Sequence, residues 1–542
     1  MGRTYSDAIA ALNTLQSNFS IVDAIRKAGK SMNKAAIPEM IEWCRRLGYE
    51  PSDFDRLKPI HIAGTKGKGS TSAFISSILA QYIKPEDLSA SPIRKVGLYT
   101  SPHLRFVRER IQINNSPLSE EVFAKYFFET WDRFEATARR NGQLADTSAK
   151  PIYFRFLTLM AMHTYLSEGV DVAIIECGIG GEYDSTNIIT GPSVTAITSL
   201  GIDHTAMLGN TIEEIAWHKA GIMKSPASAF TALQPPTALV ILQERAHEKN
   251  VDLKAVERHP QINDIELGLA ADFQKTNASL AIEVAAAHLR NIGFSEISTN
   301  PLPAEFIRGL ENVKWGGRCE TRRDGDITWY LDGGHTIESI TVAGEWFASC
   351  CQSLVSATSS IKTATASASQ PTRILLFNQQ TRNAPALLRT LHTLLSTSLK
   401  TPTPLSHALF CTNITFRDSG YKPDLVSMNT SKEEVDALSV QRGLKGAWEG
   451  MVGSGGEGTS GGTKEGEEIE GGAEQGMEGG EKGGSAAQAE IFGTIEDAVN
   501  RCREIQRSGG GNVQVLCTGS VHLVGGVMEV LESQGVHEGG KG

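Results

Sequence analysis

Short apolar runs alternate with amphipathic stretches through the first two-thirds of the chain. Four runs read as strands: Pro59–Ala63, Lys95–Ser101, Asp171–Glu176 and Val194–Leu200. Val172, Ala173, Ile174 and Ile175 are apolar without a break, as a strand covered on both faces requires. Elsewhere the spacing is helical. Met40, Ile41, Cys44 and Leu47 make one stripe over Pro38–Leu47, with proline near its start and Gly48 just past its end. Such alternation predicts an α/β fold on a parallel sheet. Around Pro301 and Pro303 the pattern pauses, which places a boundary between a first domain over 1–300 and a second over 301–542. The second series has strands near Thr328–Leu331, Arg373–Phe377, Ala408–Cys411 and Val513–Cys517. Two stretches break the pattern: 356–370 is nearly all Ser, Thr and Ala, and 446–484 is a Gly/Glu tract with no apolar period. Both read as disordered insertions.

Composition changes this picture only locally. The 542 residues carry a formal charge of −10, which argues against nucleic acid as the main partner. Between 446 and 484, however, stand sixteen glycines and nine Glu against two Lys, so that tract alone holds seven of the ten excess negative charges. The acidity describes one insertion and says little about the charge of a substrate. The eight cysteines include no C-x-x-C pair, which fits a reducing compartment. No run approaches the ~18 apolar residues of a membrane span, and the N-terminus lacks the apolar core of a secretory signal.

Candidate chemistry begins at Gly64-Thr65-Lys66-Gly67-Lys68-Gly69-Ser70, directly after one strand and before a helical pattern of Phe74, Ile75, Ile78, Leu79 and Tyr82. Strand, glycine-rich turn and helix form the context of a phosphate loop. Backbone N–H groups converge on phosphate oxygens, the helix N-terminus adds partial positive charge, and Lys68 adds a full one. In the common loop a Mg²⁺-binding hydroxyl follows the lysine at once, but here Gly69 intervenes before Ser70. A metal ligand must then come from elsewhere, and ligands of open parallel sheets collect at the carboxyl ends of strands. Ser101, Glu176 and His204 fall at or just beyond three such ends, and the first two suit Mg²⁺, which prefers oxygen.

These residues resemble the folylpolyglutamate synthase family, relatives of the Mur ligases. The likeness rests on separated motifs in order: HIAGTKGKGST (61–71), YTSPHLRFVRERI (99–111), ECGIGGEYDSTN (176–187), GIDHTAMLG (201–209), HKAGIMK (218–224), WGGRCE (315–320), LDGGHTIES (331–339) and CTGSVHLVGG (517–526). The long TSPHL…RERI segment looks like the eukaryotic, fungal-like branch. The resemblance implies a P-loop ATPase-type parallel-sheet domain followed by a smaller Rossmann-like α/β domain. It implies an ATP-dependent ligase that adds L-glutamate in γ-linkage to tetrahydrofolate and its polyglutamates through an acyl phosphate. A dihydrofolate synthase acting on dihydropteroate is the nearest alternative, and an inactive nucleotide-binding paralogue is another.

The resemblance also implies residue roles. Thr65, Lys66, Gly67, Lys68, Gly69 and Ser70 would hold the ATP phosphates, with Asn277, Arg318 and Asp332 contacting nucleotide and His335 beside them. Ser101 and Glu176 would bind one Mg²⁺ and His204 a second, with a monovalent cation such as K⁺ as a further cofactor. Lys68, Lys219 and His335 would be catalytic, and Lys219 matches a position that family members carry as a carbamate. The expected protein is a monomer of the cytoplasm or mitochondrion, with no nucleic-acid partner and no transmembrane segment. Gly316 stands where the family usually has proline, and Gly334 where alanine is common. The strand end Phe377–Asn383 also departs from the better-known form, which leaves the glutamate site open.

Overall fold

Both series of strands close into sheets, each with its own core. The computed structural model describes residues 3–16, 35–83, 92–360, 371–380, 382–418, 423–425, 435–453, 487–509 and 511–535, with the backbone alone for 354–360, 425 and 453. The first unit runs to Glu320 and also takes in the short helical turn Pro423–Leu425; the second begins at Thr321.

The first sheet contains β1 (Ile60–Ala63), β2 (Val96–Tyr99), β3 (Ile111–Ile113), β4 (Ser116–Pro117), β5 (Val172–Glu176), β6 (Val194–Ile197), β7 (Ser228–Ala232) and β8 (Leu253–Val256). Their spatial order is β4-β3-β2-β5-β1-β6-β7-β8. From β2 to β8 all neighbours are parallel, and β3 and β4 extend the β2 edge antiparallel. Every residue of β1, β2, β5 and β6 is buried, because both faces are covered. Ile60, Ile62, Val172 and Ile174 pack against the helices Lys68–Ala80, Gln274–Asn291 and Ala304–Asn312. Tyr99, Ala173 and Ile175 face a second cluster with the helices Ala36–Leu47, Glu120–Arg140 and Tyr153–Glu168. Ile62 pairs with both Glu176 and Ala196, so β1, β5 and β6 end level and their following loops converge.

The second sheet contains β9 (Glu320–Asp324), β10 (Ile327–Leu331), β11 (Thr372–Phe377), β12 (His407–Cys411), β13 (Gln488–Phe492) and β14 (Val513–Thr518), in the order β13-β12-β11-β14-β10-β9. The neighbours from β13 to β10 are parallel. Among the described residues no helix is long and apolar enough to cross a membrane.

Three expected boundaries are corrected. The pause at Pro301 and Pro303 is not a domain boundary, because the helix Ala304–Asn312 buries Phe306 and Leu310 in the first core. Its Gly309 lies so close to the Lys68–Ala80 helix that a Cβ there would sit 2.6 Å from Ile78 Cα. The tract expected to be disordered from 446 is helical to Gly453, since the helix Ser439–Gly453 buries Leu444 and Trp448 completely. Likewise the helix Ile337–Ser360 includes the first residues of the Ser/Thr/Ala stretch. The remainders, 361–370 and 454–484, lie outside the described residues.

Candidate active site

The phosphate loop runs from the end of β1 to the helix Lys68–Ala80, whose N-cap is Gly67. Two glycines permit its path. Gly64 has φ 147°, and a Cβ there would lie 1.8 Å from Thr198 Oγ1; Gly67 has φ 87°, and its Cβ would lie 2.2 Å from Asn277 Oδ1. Both φ values are disfavoured for residues with a Cβ. Glycine here serves close packing as much as backbone freedom. The N–H groups of Thr65 and Lys66 both donate to Ser199 O at 3.0 Å, and Thr65 Oγ1 donates to Gly201 O at 3.1 Å. These two residues brace the loop against the β6 end rather than offer their N–H groups to a ligand. The first N–H groups of the helix, on Lys68, Gly69 and Ser70, have no intrahelical acceptor and are the donors that remain for an anion. The Ser70 side chain is turned inward, accepting from Gln274 Nε2 at 3.3 Å. That bond ties the helix Gln274–Asn291 to the end of the loop, and within the helix Gln274 also accepts from Asn277 Nδ2 at 2.8 Å.

Lys68 Nζ donates to Gly64 O at 3.1 Å and stands 4.0 Å from Glu176 Oε1. Glu176 ends β5, and its Oε2 accepts the N–H of Ser101 at 3.0 Å, so the expected pair of metal ligands lies together. The Glu176 carboxyl is almost fully buried. Burial pushes its pKa up, against the opposing pull of Lys68, the Ser101 N–H, Arg318 and Arg110. Lys219, at the end of the helix Ile212–Lys219, is also buried and donates to Gly64 O at 2.7 Å. Burial and then the neighbouring Lys68 push Lys219 down to about 7.

On the other side of the loop, Lys66 Nζ pairs with Asp203 Oδ2 at 3.1 Å. Asp203 Oδ1 accepts the N–H of His204, an exposed residue with φ 52° that opens the turn Thr205–Leu208. Trp315 covers the helix start, its ring 3.2 Å from where a Gly69 Cβ would be. Arg318 donates to Gly317 O at 3.1 Å and is one of the cations acting on Glu176. An open cavity of about 520 Å³ is lined by Ser199, Leu233, Val256, Glu257, Arg258 and Thr276, next to residues that shape the loop.

The structure therefore brings Thr65–Ser70, Ser101, Glu176, His204, Lys219, Asn277 and Arg318 to one edge of the first unit's sheet. Asp332 and His335 lie in the second unit, just beyond β10. Asp332 Oδ1 accepts the N–H of Gly334 at 2.8 Å, and His335 Nδ1 lies 3.0 Å from Gly333 O. A Cβ on Gly334 would lie 2.9 Å from Ser339 O, so glycine at this position permits a tight turn. Sequence reasoning missed Asp203, Ser199, Gln274 and Trp315 as parts of the site. Asp203 and Trp315 carried a signal, the first being adjacent to His204 in one motif and the second opening the motif WGGRCE.

The site fits the groups that the resemblance implies. Glu176 is a buried carboxylate that, among the described residues, has one backbone N–H at hydrogen-bond distance and Lys68 Nζ at 4.0 Å, a setting that leaves room for a bound cation. Among the described residues no group of three or more His, Cys, Asp or Glu is gathered, so a metal here would take Ser101 and Glu176 with oxygens from water and phosphate, the habit of Mg²⁺.

No protein-family model matches the chain. A folylpolyglutamate synthase of Neurospora crassa is 42% identical over 534 residues, which span 98% of this chain and 92% of that protein. One from Saccharomyces cerevisiae is 43% identical over 540 residues, 98% of this chain and 88% of its own. The solved Mycobacterium tuberculosis folylpolyglutamate synthase complexed with ADP and AMPPCP has a TM-score of 0.61 at 20% identity, covering 98% of this chain and all of that one, and shows the same fold. With more than two-fifths of its residues shared over nearly the full length of its fungal relatives, the chain belongs to the folylpolyglutamate synthase family.

Proposed function

We propose that the chain is an ATP-dependent ligase that adds L-glutamate in γ-linkage to tetrahydrofolate and its polyglutamates. The observation that carries this reading is the convergence of Lys68, Glu176 and Ser101 on the helix start behind Gly67, in a chain of this family. The free N–H groups of Lys68, Gly69 and Ser70 receive phosphate oxygens, and the Lys68 ammonium orients them. The cavity beside Ser199 and Thr276 is of a size to lodge the nucleoside. Asn277, Arg318, Asp332 and His335 are assigned to the nucleotide on their family positions.

A carboxylate does not react with an amine at neutral pH, because its oxygen leaves poorly. Transfer of the γ-phosphoryl of ATP to the terminal glutamyl carboxylate gives an acyl phosphate and ADP. The amine of the incoming glutamate then attacks the carbonyl carbon, forms the amide, and releases phosphate and a proton. Ser101 and Glu176 would hold one Mg²⁺ and His204 a second, while the residue set names no distinct place for K⁺. Bound Mg²⁺ supplies charge neutralisation at the phosphate oxygens. The protein contributes position and fixed charge: Lys68 is held by Gly64 O, and Lys66 by Asp203. Lys219, buried among these groups, is assigned as a carbamate, a modification that its low affinity for a proton supports. The eight cysteines are all free, which supports a reducing compartment, the cytoplasm or the mitochondrion.

Incubation with MgATP, labelled glutamate and either tetrahydrofolate or dihydropteroate tests the reading, with the product identified by mass. Repeated addition of label to tetrahydrofolate is the expected result. Label on dihydropteroate alone would make the protein a dihydrofolate synthase, and no product with either would refute both.

A further inference from the structure

Arg110 is 8% exposed, yet among the described residues it faces no carboxylate at ion-pair distance. Its Nε donates to His103 Nδ1 at 2.9 Å, and its guanidinium carbon lies 5.6 Å from the centre of the Tyr153 ring. Its charge reaches Glu176 in the candidate site. Buried guanidinium groups are normally paired, so one held without a counter-ion beside a reaction centre is poised for an anion from outside the protein.

What holds it there comes from far along the chain. His103 Nε2 lies 2.7 Å from Asp424 O, 321 residues away in sequence. A carbonyl oxygen only accepts, so Nε2 carries the hydrogen, and the Nδ1 lone pair is left for the Arg110 N–H. Asp424 acts a second time through its side chain. Its Oδ1 accepts the N–H of Val107 at 2.8 Å and also the Tyr5 hydroxyl. Val107 opens the short helix Val107–Arg110, and its N–H lacks an acceptor within that helix. Asn13 Nδ2 donates to Pro423 O at 3.1 Å and ties the same turn to the N-terminal helix. Between these anchors, Glu109 takes the N–H groups of Leu104 at 2.8 Å and Phe106 at 3.1 Å. The stretch from His103 to Val107, between Ser101 and Arg110, is thus fixed at both its ends by Asp424.

We infer that Asp424 and His103 are positioning residues of the ligase, holding the uncompensated Arg110 guanidinium where it receives the carboxylate end of the folate acceptor. The inference rests on the ligase reading and adds the group that recognises the acceptor's charge.

Steady-state kinetics and calorimetric binding of tetrahydrofolate without ATP test it on the full-length protein. His103→Ala and Asp424→Ala should each raise the KM and Kd for tetrahydrofolate by about tenfold or more, with the KM for ATP within about twofold of the parent. Combining them should cost little more than either alone, because both act through Arg110. His103→Asn keeps an acceptor where Nδ1 stood, and Asp424→Asn keeps one for Val107, so both should recover most of the affinity. Those two variants also serve if Asp424→Ala fails to fold. Unchanged folate affinity in His103→Ala, an equal rise in the KM for ATP, or asparagine variants as impaired as alanine ones would overturn the inference. A parent protein that ligates tetrahydrofolate while the alanine variants behave like it removes this inference alone. A parent that neither binds nor extends tetrahydrofolate removes the underlying reading as well.

Discussion

Lys219 and Lys68 donate to the same oxygen: Gly64 O receives Lys219 Nζ at 2.7 Å and Lys68 Nζ at 3.1 Å. Two ammonium groups on one acceptor repel, and Lys219 is only 3% exposed, which leaves little water to screen it. Burial, with Lys68 adding to it, brings Lys219 down to about 7, so near neutral pH a large share of it is free amine. Free amine is the form that reacts with carbon dioxide, and carbamate formation would turn two like charges into an attractive pair.

Replacement of Lys219 separates the two states. Lys219→Ala is expected to lower kcat by about a hundredfold or more. If the working group is a carbamate, acetate or formate at high concentration should restore part of the lost rate by placing a carboxylate in the vacated space. Restoration by methylamine and not by the acids would show that the ammonium is the working form.

Glu176→Gln keeps the shape of the β5 end and removes one charge. Because burial already disfavours that charge, the variant should be as stable to heat as the parent, or slightly more so. Its turnover at saturating MgATP and glutamate is expected to fall by about a hundredfold or more, through loss of a metal-facing carboxylate. Parent-like turnover would remove Glu176 from the site.

How much of this was legible in the sequence depends on whether the cause is local. The β1 loop could be read because glycines, a lysine and an apolar helix follow in sequence. The buried strands could be read because burial on both faces leaves a continuous apolar run, as in Val172–Ile175. The edges could not. β8 has no fully buried residue, and β4 is two residues long, so neither leaves a periodic pattern. The boundary near Pro301 misled because prolines interrupt the chain there, whereas domain membership is decided by Phe306 and Leu310 packing far back in sequence. The bracing of Thr65 and Lys66 by Ser199, and the hold of Asp424 on His103, depend on contacts between distant segments that no window of sequence displays.

Acid should weaken the fold through His288. This residue is fully buried on the helix Gln274–Asn291, with Nδ1 2.9 Å from Ser193 Oγ, and burial brings it down to about 3. Its pKa in the folded state lies below the ordinary value near 6.5, so the unfolded chain takes up the proton first. The stabilising effect of keeping it neutral is complete above about pH 6.5 and is lost as the pH falls towards 3. The slope from this group is up to about 1.4 kcal/mol per pH unit. Urea midpoints measured between pH 7 and 5 should decline for the parent and decline less steeply for His288→Gln. Parallel slopes would assign the acid sensitivity elsewhere.

The Gly/Glu tract can be cut in two ways with opposite expectations. Trp448 is fully buried, meets the His392 ring edge-on at 5.5 Å, and donates through Nε1 to Ala487 O at 3.4 Å. The helix end and the approach to β13 are therefore already close, so removing 454–484 requires no long bridge between them. That deletion takes away thirteen glycines and eight Glu and leaves every described core residue in place, and parent-like thermal stability and turnover are expected. Removing 446–484 also takes Trp448, and loss of a buried tryptophan costs about 3–5 kcal/mol. The longer deletion should melt several degrees lower or fail to accumulate as soluble protein. Equal behaviour of the two would mean that the last turns of the helix Ser439–Gly453 carry no stability, against the complete burial of Trp448.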